Sequence, residues 1–121
     1  MYKISKQFSF SASHALFNLA DGHPCSRLHG HNYEVTLHLR SRELNEAGFV
    51  VDYKSLGFVK EYIDNTFDHR NLNEIIAPLN PSSENIAKML YDVLKPQLPQ
   101  LYAVAVSETP TTLAIYEPDG Q

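Results

Sequence analysis

Four side chains suited to metal or nucleophile chemistry fall in two short stretches: His14, and then Cys25, His29 and His31 in the run Cys25-Ser26-Arg27-Leu28-His29-Gly30-His31. Neutral imidazole is the commonest biological metal ligand. Three of them leave a zinc ion one position open for water or substrate. A set of three imidazoles without a carboxylate favours zinc over magnesium or calcium, which take oxygen ligands. His14, His29 and His31 are therefore the expected zinc ligands. His23 and His38 rank below them, because His38 alternates to the opposite face of its strand from His31 and His23 sits in a loop. Cys25, four residues before His29, fits a base or nucleophile whose thiolate a nearby cation favours. It also fits a fourth ligand that would close a structural site, or a small buried side chain.

Two further groups carry chemistry. Asp68 and His69 are adjacent at the end of a helical pattern. A carboxylate beside an imidazole orients it for proton transfer, but neighbours on a helix do not face each other, so contact requires a turn. The competing reading places His69 on the helix dipole. Glu108 ends a strand whose alternate positions Tyr102, Val104 and Val106 are apolar. A carboxylate there either reaches water at the rim or receives donors from a ligand. The paired N–H donors of a 2-aminopyrimidinone edge match a carboxylate bidentately. Glu84, in the first turn of a helix, is explained by the dipole alone.

The elements that must hold these groups follow from periodicity. Tyr2, Ile4, Phe8, Phe10, Ala12 and His14 recur at period two, interrupted only by Lys6, and predict a strand with His14 at its far end. His31, Tyr33, Val35, Leu37 and Leu39 predict a second, on which His29 and His31 project to one side. The intervening segment from Ala15 is far longer than the roughly two to five residues of an ordinary hairpin loop, a length usually tied to function or disorder, and Cys25 within it favours function. Asp52 can cap a helix with Leu56, Val59, Ile63 and Phe67 on one stripe. Asn80-Pro81-Ser82-Ser83 opens another, carrying Ile86, Met89, Leu90, Val93 and Leu94 and closed by Pro96 and Pro99. Residues 101–108 and 112–117 predict two last strands. The order ββααββ implies an α+β layer: a four-stranded antiparallel sheet with both helices on one face. Its two open edges must be paired, covered or blunted, and pairing with a neighbouring subunit would bring site residues to interfaces.

Composition narrows the class. A chain of 121 residues with 43% hydrophobic and 20% charged residues reads as one globular domain, residues 1–121. The net charge of −4 and the scatter of ten basic residues argue against nucleic acid. No apolar run approaches membrane-spanning length. Residues 1–6 show no apolar stretch of the signal-peptide kind, and a single cysteine fits a reducing compartment, so a cytoplasmic location is expected.

The motifs Phe10-Ser11-Ala12-Ser13-His14, Cys25-x3-His29-Gly30-His31-Asn32-Tyr33, Asp68-His69-Arg70-Asn71-Leu72-Asn73, Pro81-Ser82-Ser83-Glu84-Asn85 and Ser107-Glu108-Thr109, in this order along nearly the whole chain, resemble the family of 6-pyruvoyl-tetrahydropterin and 6-carboxy-5,6,7,8-tetrahydropterin synthases. The three-residue gap after Cys25 is similar to the carboxytetrahydropterin branch, which serves queuosine (7-deazaguanine) biosynthesis in bacteria. The pyruvoyl branch typically has a longer gap. Ser82 stands where the family more often has threonine, which keeps the hydroxyl. The resemblance implies the tunnelling (T) fold, with sheets joined edge to edge into an oligomeric barrel, typically a homohexamer of two trimers. It also implies roles: zinc on His14, His29 and His31, Cys25 as base, and Asp68 and His69 as proton relay. Glu108 would anchor the pterin and Glu84 line its pocket; Arg27 is a triphosphate-binding candidate by position alone. The implied reaction is a lyase step, turning 7,8-dihydroneopterin triphosphate into 6-carboxytetrahydropterin, acetaldehyde and triphosphate. A pyruvoyl-type triphosphate elimination is the alternative on the same scaffold. A non-catalytic zinc module is the third reading.

Overall fold

The computed structural model describes residues 1–121. It forms strands β1 (Tyr2–His14) and β2 (His29–Ser41), helices α1 (Gly57–Thr66), α2 (Leu72–Ile75) and α3 (Ser83–Leu94), then strands β3 (Leu101–Ser107) and β4 (Ala114–Tyr116). The four strands make one antiparallel sheet in the order β1-β2-β3-β4.

Alternation puts the core on one face. Tyr33, Val35, Leu37 and Leu39 of β2 are all fully buried, as are Val104 and Val106 of β3. Against them pack Val59 and Ile63 of α1, Phe67 just beyond it, and Ile86, Ala87, Leu90 and Leu94 of α3. The expected layer of helices on one side of the sheet is therefore present. Within the expected opening Asn80-Pro81-Ser82-Ser83, Ser82 is the residue that caps α3, its side chain accepting from the N–H of Asn85 at 3.2 Å.

Several boundaries differ from the periodicity reading. Asp52 caps a 3-10 turn, Tyr53–Leu56, through the N–H of Lys54, and the α-helix proper begins only at Gly57. Pro96 does not stop the chain's winding: it sits in the first turn of a 3-10 segment, Lys95–Gln97, where a missing N–H costs nothing. The four-residue α2, capped by the Asn71 side chain, is too short to leave a periodic signature. β3 stops at Ser107, one residue before Glu108. β4 keeps three residues, because Thr112 is still held in the turn by its N–H bond to the Thr109 carbonyl.

Tertiary bonds anchor the segments beside the strands. Residues 68–71 run along the free edge of β1. There the Asp68 carboxylate accepts the Ser11 N–H at 2.9 Å, the His69 N–H donates to the Ser11 carbonyl and the Ser13 N–H donates to Arg70. The long β1–β2 connection is pinned at Ala15, whose N–H and carbonyl both bond the Asn73 side-chain amide at 2.8 Å.

Candidate active site

Strand register assembles the three histidines. His14 and His29 are directly opposed across β1 and β2, and His31 lies two residues farther along the same side, opposite Ala12. Opposed residues on one face have Cβ atoms about 5 Å apart, so the imidazoles converge without unusual backbone. Their ligand atoms all lie within 4.8 Å of one another, and His14 is 1% exposed.

Hydrogen bonds decide which ring nitrogens are free. His14 Nδ1 lies 2.7 Å from the Pro81 carbonyl, and His29 Nδ1 lies 2.7 Å from the Arg27 carbonyl. A carbonyl only accepts, so each Nδ1 carries a proton, and in the neutral ring each Nε2 presents a lone pair. Those two Nε2 atoms are 3.0 Å apart. Two lone pairs at that separation repel unless a cation lies between them. Neighbouring vertices of a tetrahedral zinc site, with bonds near 2.0–2.1 Å, are about 3.3 Å apart. The donor set thus fits a divalent metal, and carbonyl-oriented imidazoles are the usual outer support of such sites. Burial pushes the His14 pKa below its ordinary value, against the opposing pull of the Pro81 carbonyl, which keeps the ring available as a neutral ligand.

Other ring groups brace the cluster. The buried Tyr33 ring stacks on Phe10 at 4.8 Å, and its hydroxyl lies 3.2 Å from His14 Nδ1. Burial raises the Tyr33 pKa, so the phenol stays protonated. His38 lies on the opposite face of the sheet, near Tyr102. His23 is used locally, its Nδ1 accepting the Cys25 N–H at 3.1 Å. Neither joins the ligand group.

Cys25 occupies the 3-10 turn Pro24–Ser26, is half-buried, and is absent from that group. Asp68 and His69 lie beyond the end of α1, in the turn their contact requires: His69 Nδ1 and Asp68 Oδ2 are 2.8 Å apart. His69 has φ +58°, the left-handed region that disfavours side chains, and its own side chain is 82% exposed. The Ser11 N–H, then His69, hold the Asp68 carboxyl below the usual carboxylate range. Within one chain neither Asp68 nor His69 hydrogen-bonds to Cys25 or to the three clustered histidines. His69 does line one depression with His31, Asn32 and Ser13.

Glu108 reaches over the histidines while 29% of its side chain stays exposed. Its Oε2 is 3.8 Å from Nε2 of both His14 and His31. Glu84 and Glu108 line one cavity of about 270 Å³ with Ser83. The only two buried side-chain oxygens or nitrogens in the chain that lack a partner are Ser83 Oγ and Glu108 Oε2, both of these lining residues. Periodicity could not single out Ser83, because a serine after an N-cap serine reads as helix. The supporting Pro81 and Arg27 carbonyls carry no side-chain signal at all. The Arg27 side chain is exposed.

The 6-pyruvoyl tetrahydropterin synthase family model matches residues 3–119. The chain belongs to that family. It is 32% identical to the 6-carboxy-5,6,7,8-tetrahydropterin synthase of Bacillus subtilis, over 97% of this chain and 86% of the relative. It is 35% identical to the enzyme of that name from Synechocystis, over 96% and 93% of the two chains. The human 6-pyruvoyl tetrahydrobiopterin synthase is 31% identical over 95% and 90%. The solved structure of Caenorhabditis elegans 6-pyruvoyl tetrahydropterin synthase superposes with a TM-score of 0.86 at 30% identity, covering 98% of this chain and 96% of that one. The α+β architecture is thus the fold of the 6-pyruvoyl tetrahydropterin synthase family, and the chain is an enzyme of that family. No helix is long and apolar enough to cross a membrane.

Proposed function

We propose that this enzyme is a zinc-dependent 6-carboxy-5,6,7,8-tetrahydropterin synthase. It converts 7,8-dihydroneopterin triphosphate and one water to 6-carboxytetrahydropterin, acetaldehyde and triphosphate in 7-deazaguanine biosynthesis. The observation that carries this reading is the pair of bare Nε2 lone pairs 3.0 Å apart, with His31 completing the set and Cys25 four residues before His29. The Bacillus subtilis and Synechocystis relatives, both named for this reaction, support it.

His14, His29 and His31 would hold zinc, which when bound supplies Lewis-acid stabilisation of negative charge as a carbon-bound proton leaves. The residues of the chain do the rest. The Cys25 thiolate takes the proton from the side-chain carbon next to the ring. His69, oriented by the ionised Asp68, moves protons during tautomerisation and carbon–carbon cleavage. Glu84 and Glu108 accept the paired N–H donors of the aminopyrimidinone edge, and the orphaned Ser83 hydroxyl is a third contact in that cavity. Arg27 remains the candidate for the triphosphate.

A strained, solvent-facing His69 is the pattern of a functional group whose counterpart lies elsewhere. In a homo-oligomer built edge to edge, a hexamer of two trimers closing the sheets into a barrel, Cys25 of a neighbouring subunit can meet it. Product analysis on 7,8-dihydroneopterin triphosphate with the zinc-loaded protein tests the function. Acetaldehyde and the 6-carboxy product are expected. Release of triphosphate with the side chain retained would assign the pyruvoyl reaction instead.

A further inference from the structure

Glu108 and the imidazoles form a contact that pterin binding alone does not explain. Oε2 of Glu108 is closed to solvent, has no hydrogen-bond donor, and lies 3.8 Å from Nε2 of both His14 and His31. In the neutral ring that burial favours, the Pro81 carbonyl holds the His14 proton on Nδ1, so Nε2 does not donate to the carboxylate. A negative oxygen therefore faces a lone pair in a buried place, and it does so beside a second lone pair 3.0 Å away on His29. Burying an unpaired carboxylate is costly unless a cation or donor compensates. One ion bound to the nitrogens relieves every one of these contacts. The 3.8 Å separations exceed by only about half an ångström the spacing of roughly 3.3 Å between vertices of a tetrahedral zinc site.

We infer that Glu108 is the fourth metal ligand of the substrate-free enzyme and that its carboxylate is released to the pterin when substrate enters. This rests on the zinc reading above and deepens it. The same side chain lines the cavity shared with Ser83 and Glu84, so a modest rotation exchanges the metal for the aminopyrimidinone N–H donors. Two consequences follow. The metal is protected from adventitious anions between turnovers. Only a ligand that offers Glu108 new donors opens the position that the substrate's side-chain oxygens need, so recognition of the ring is coupled to access to the metal.

The test compares wild type with Glu108→Gln and Glu108→Asp, each checked for native circular dichroism. Zinc affinity is measured by competition with a chromophoric chelator, and azide is titrated into the cobalt-loaded proteins while the visible spectrum is followed. The expected result is zinc bound about tenfold or more weakly by Glu108→Gln, with partial recovery in Glu108→Asp. Azide should perturb the cobalt spectrum of Glu108→Gln at concentrations that leave the wild type unchanged. Equal zinc affinity in wild type and Glu108→Gln, or an azide response in the wild type as strong as in the variant, overturns the inference and leaves the three-histidine site standing. Failure of the wild type to bind zinc or cobalt removes both.

Discussion

His29→Ala separates a metal ligand from a structural histidine in a single melting experiment. His29 is partly exposed, and apart from its Nε2 contact its ring makes one hydrogen bond, to the Arg27 carbonyl. Losing that bond costs about 0.5–1.5 kcal/mol. The substitution also removes the 3.0 Å contact between two lone pairs, which destabilises the metal-free fold, so the two effects oppose each other. Metal-free variant and metal-free wild type should therefore melt within about 6 °C of each other, taking about 4 °C per kcal/mol for a domain of this size. Zinc changes the comparison. At a free concentration 100 times its dissociation constant, it stabilises the wild type by about 2.7 kcal/mol, or a rise in Tm of about 10 °C. With one of its ligands lost, the variant should show a rise of no more than a few degrees at that zinc concentration, about tenfold or more weaker binding removing about 1.4 kcal/mol or more of the effect. The assay is differential scanning calorimetry at one protein concentration, with chelator and with buffered zinc. A metal-free variant melting about 10 °C below the metal-free wild type would show that His29 holds the fold together, and the lone-pair argument would then be wrong.

Three further outcomes are expected. Cys25→Ala should leave the protein folded and fully zinc-loaded, with turnover on dihydroneopterin triphosphate lowered by at least about a hundredfold. Zinc content measured by atomic absorption that falls along with activity would make the cysteine a ligand. Asp68→Asn should flatten the acid limb of the stability curve. The wild-type carboxyl titrates below its unfolded value near 3.9, so its contribution is complete above that pH and disappears as pH falls through the lower folded value. Urea melts between about pH 2 and 5 should show the gap between wild type and variant closing towards acid; a gap independent of pH would contradict the assignment. Leu90→Ala, at a fully buried position of α3, should cost about 2–5 kcal/mol and be read as a lower urea midpoint with zinc stoichiometry intact.

Much of the architecture was legible along the chain because strands and helices bury one face at fixed periods. Tyr33, Val35, Leu37 and Leu39 alternate without exception, and all four are fully buried. Ile86, Leu90 and Leu94 mark the inward stripe of α3 equally plainly. His29 and His31 could be assigned to one side of β2 for the same reason, and His38 to the other. Asn71-Leu72-Asn73 could not be read as a helix, since four residues span barely one turn. The start of α1 was misplaced because Asp52 caps a 3-10 turn with the same side-chain bond it would use on an α-helix.

Residue types and their spacing by themselves nominated the candidate groups: three imidazoles, one thiol, an Asp-His pair and two carboxylates. Tertiary structure decided how they face one another. The opposition of His14 and His29 comes from strand register, a pairing between residues 15 apart that no local period encodes. The choice of Nε2 as the free nitrogen comes from the Pro81 and Arg27 carbonyls, backbone groups that every residue possesses and whose direction only the folded chain sets. The position of Glu108 Oε2, 3.8 Å from Nε2 of both His14 and His31, comes from the packing of β3 beside β2, which brings residue 108 to the imidazoles of residues far away in sequence. Periodicity records which face of an element is apolar. It carries no information on where a chain end turns or which carbonyl an imidazole meets, and those directions select the reactive atoms.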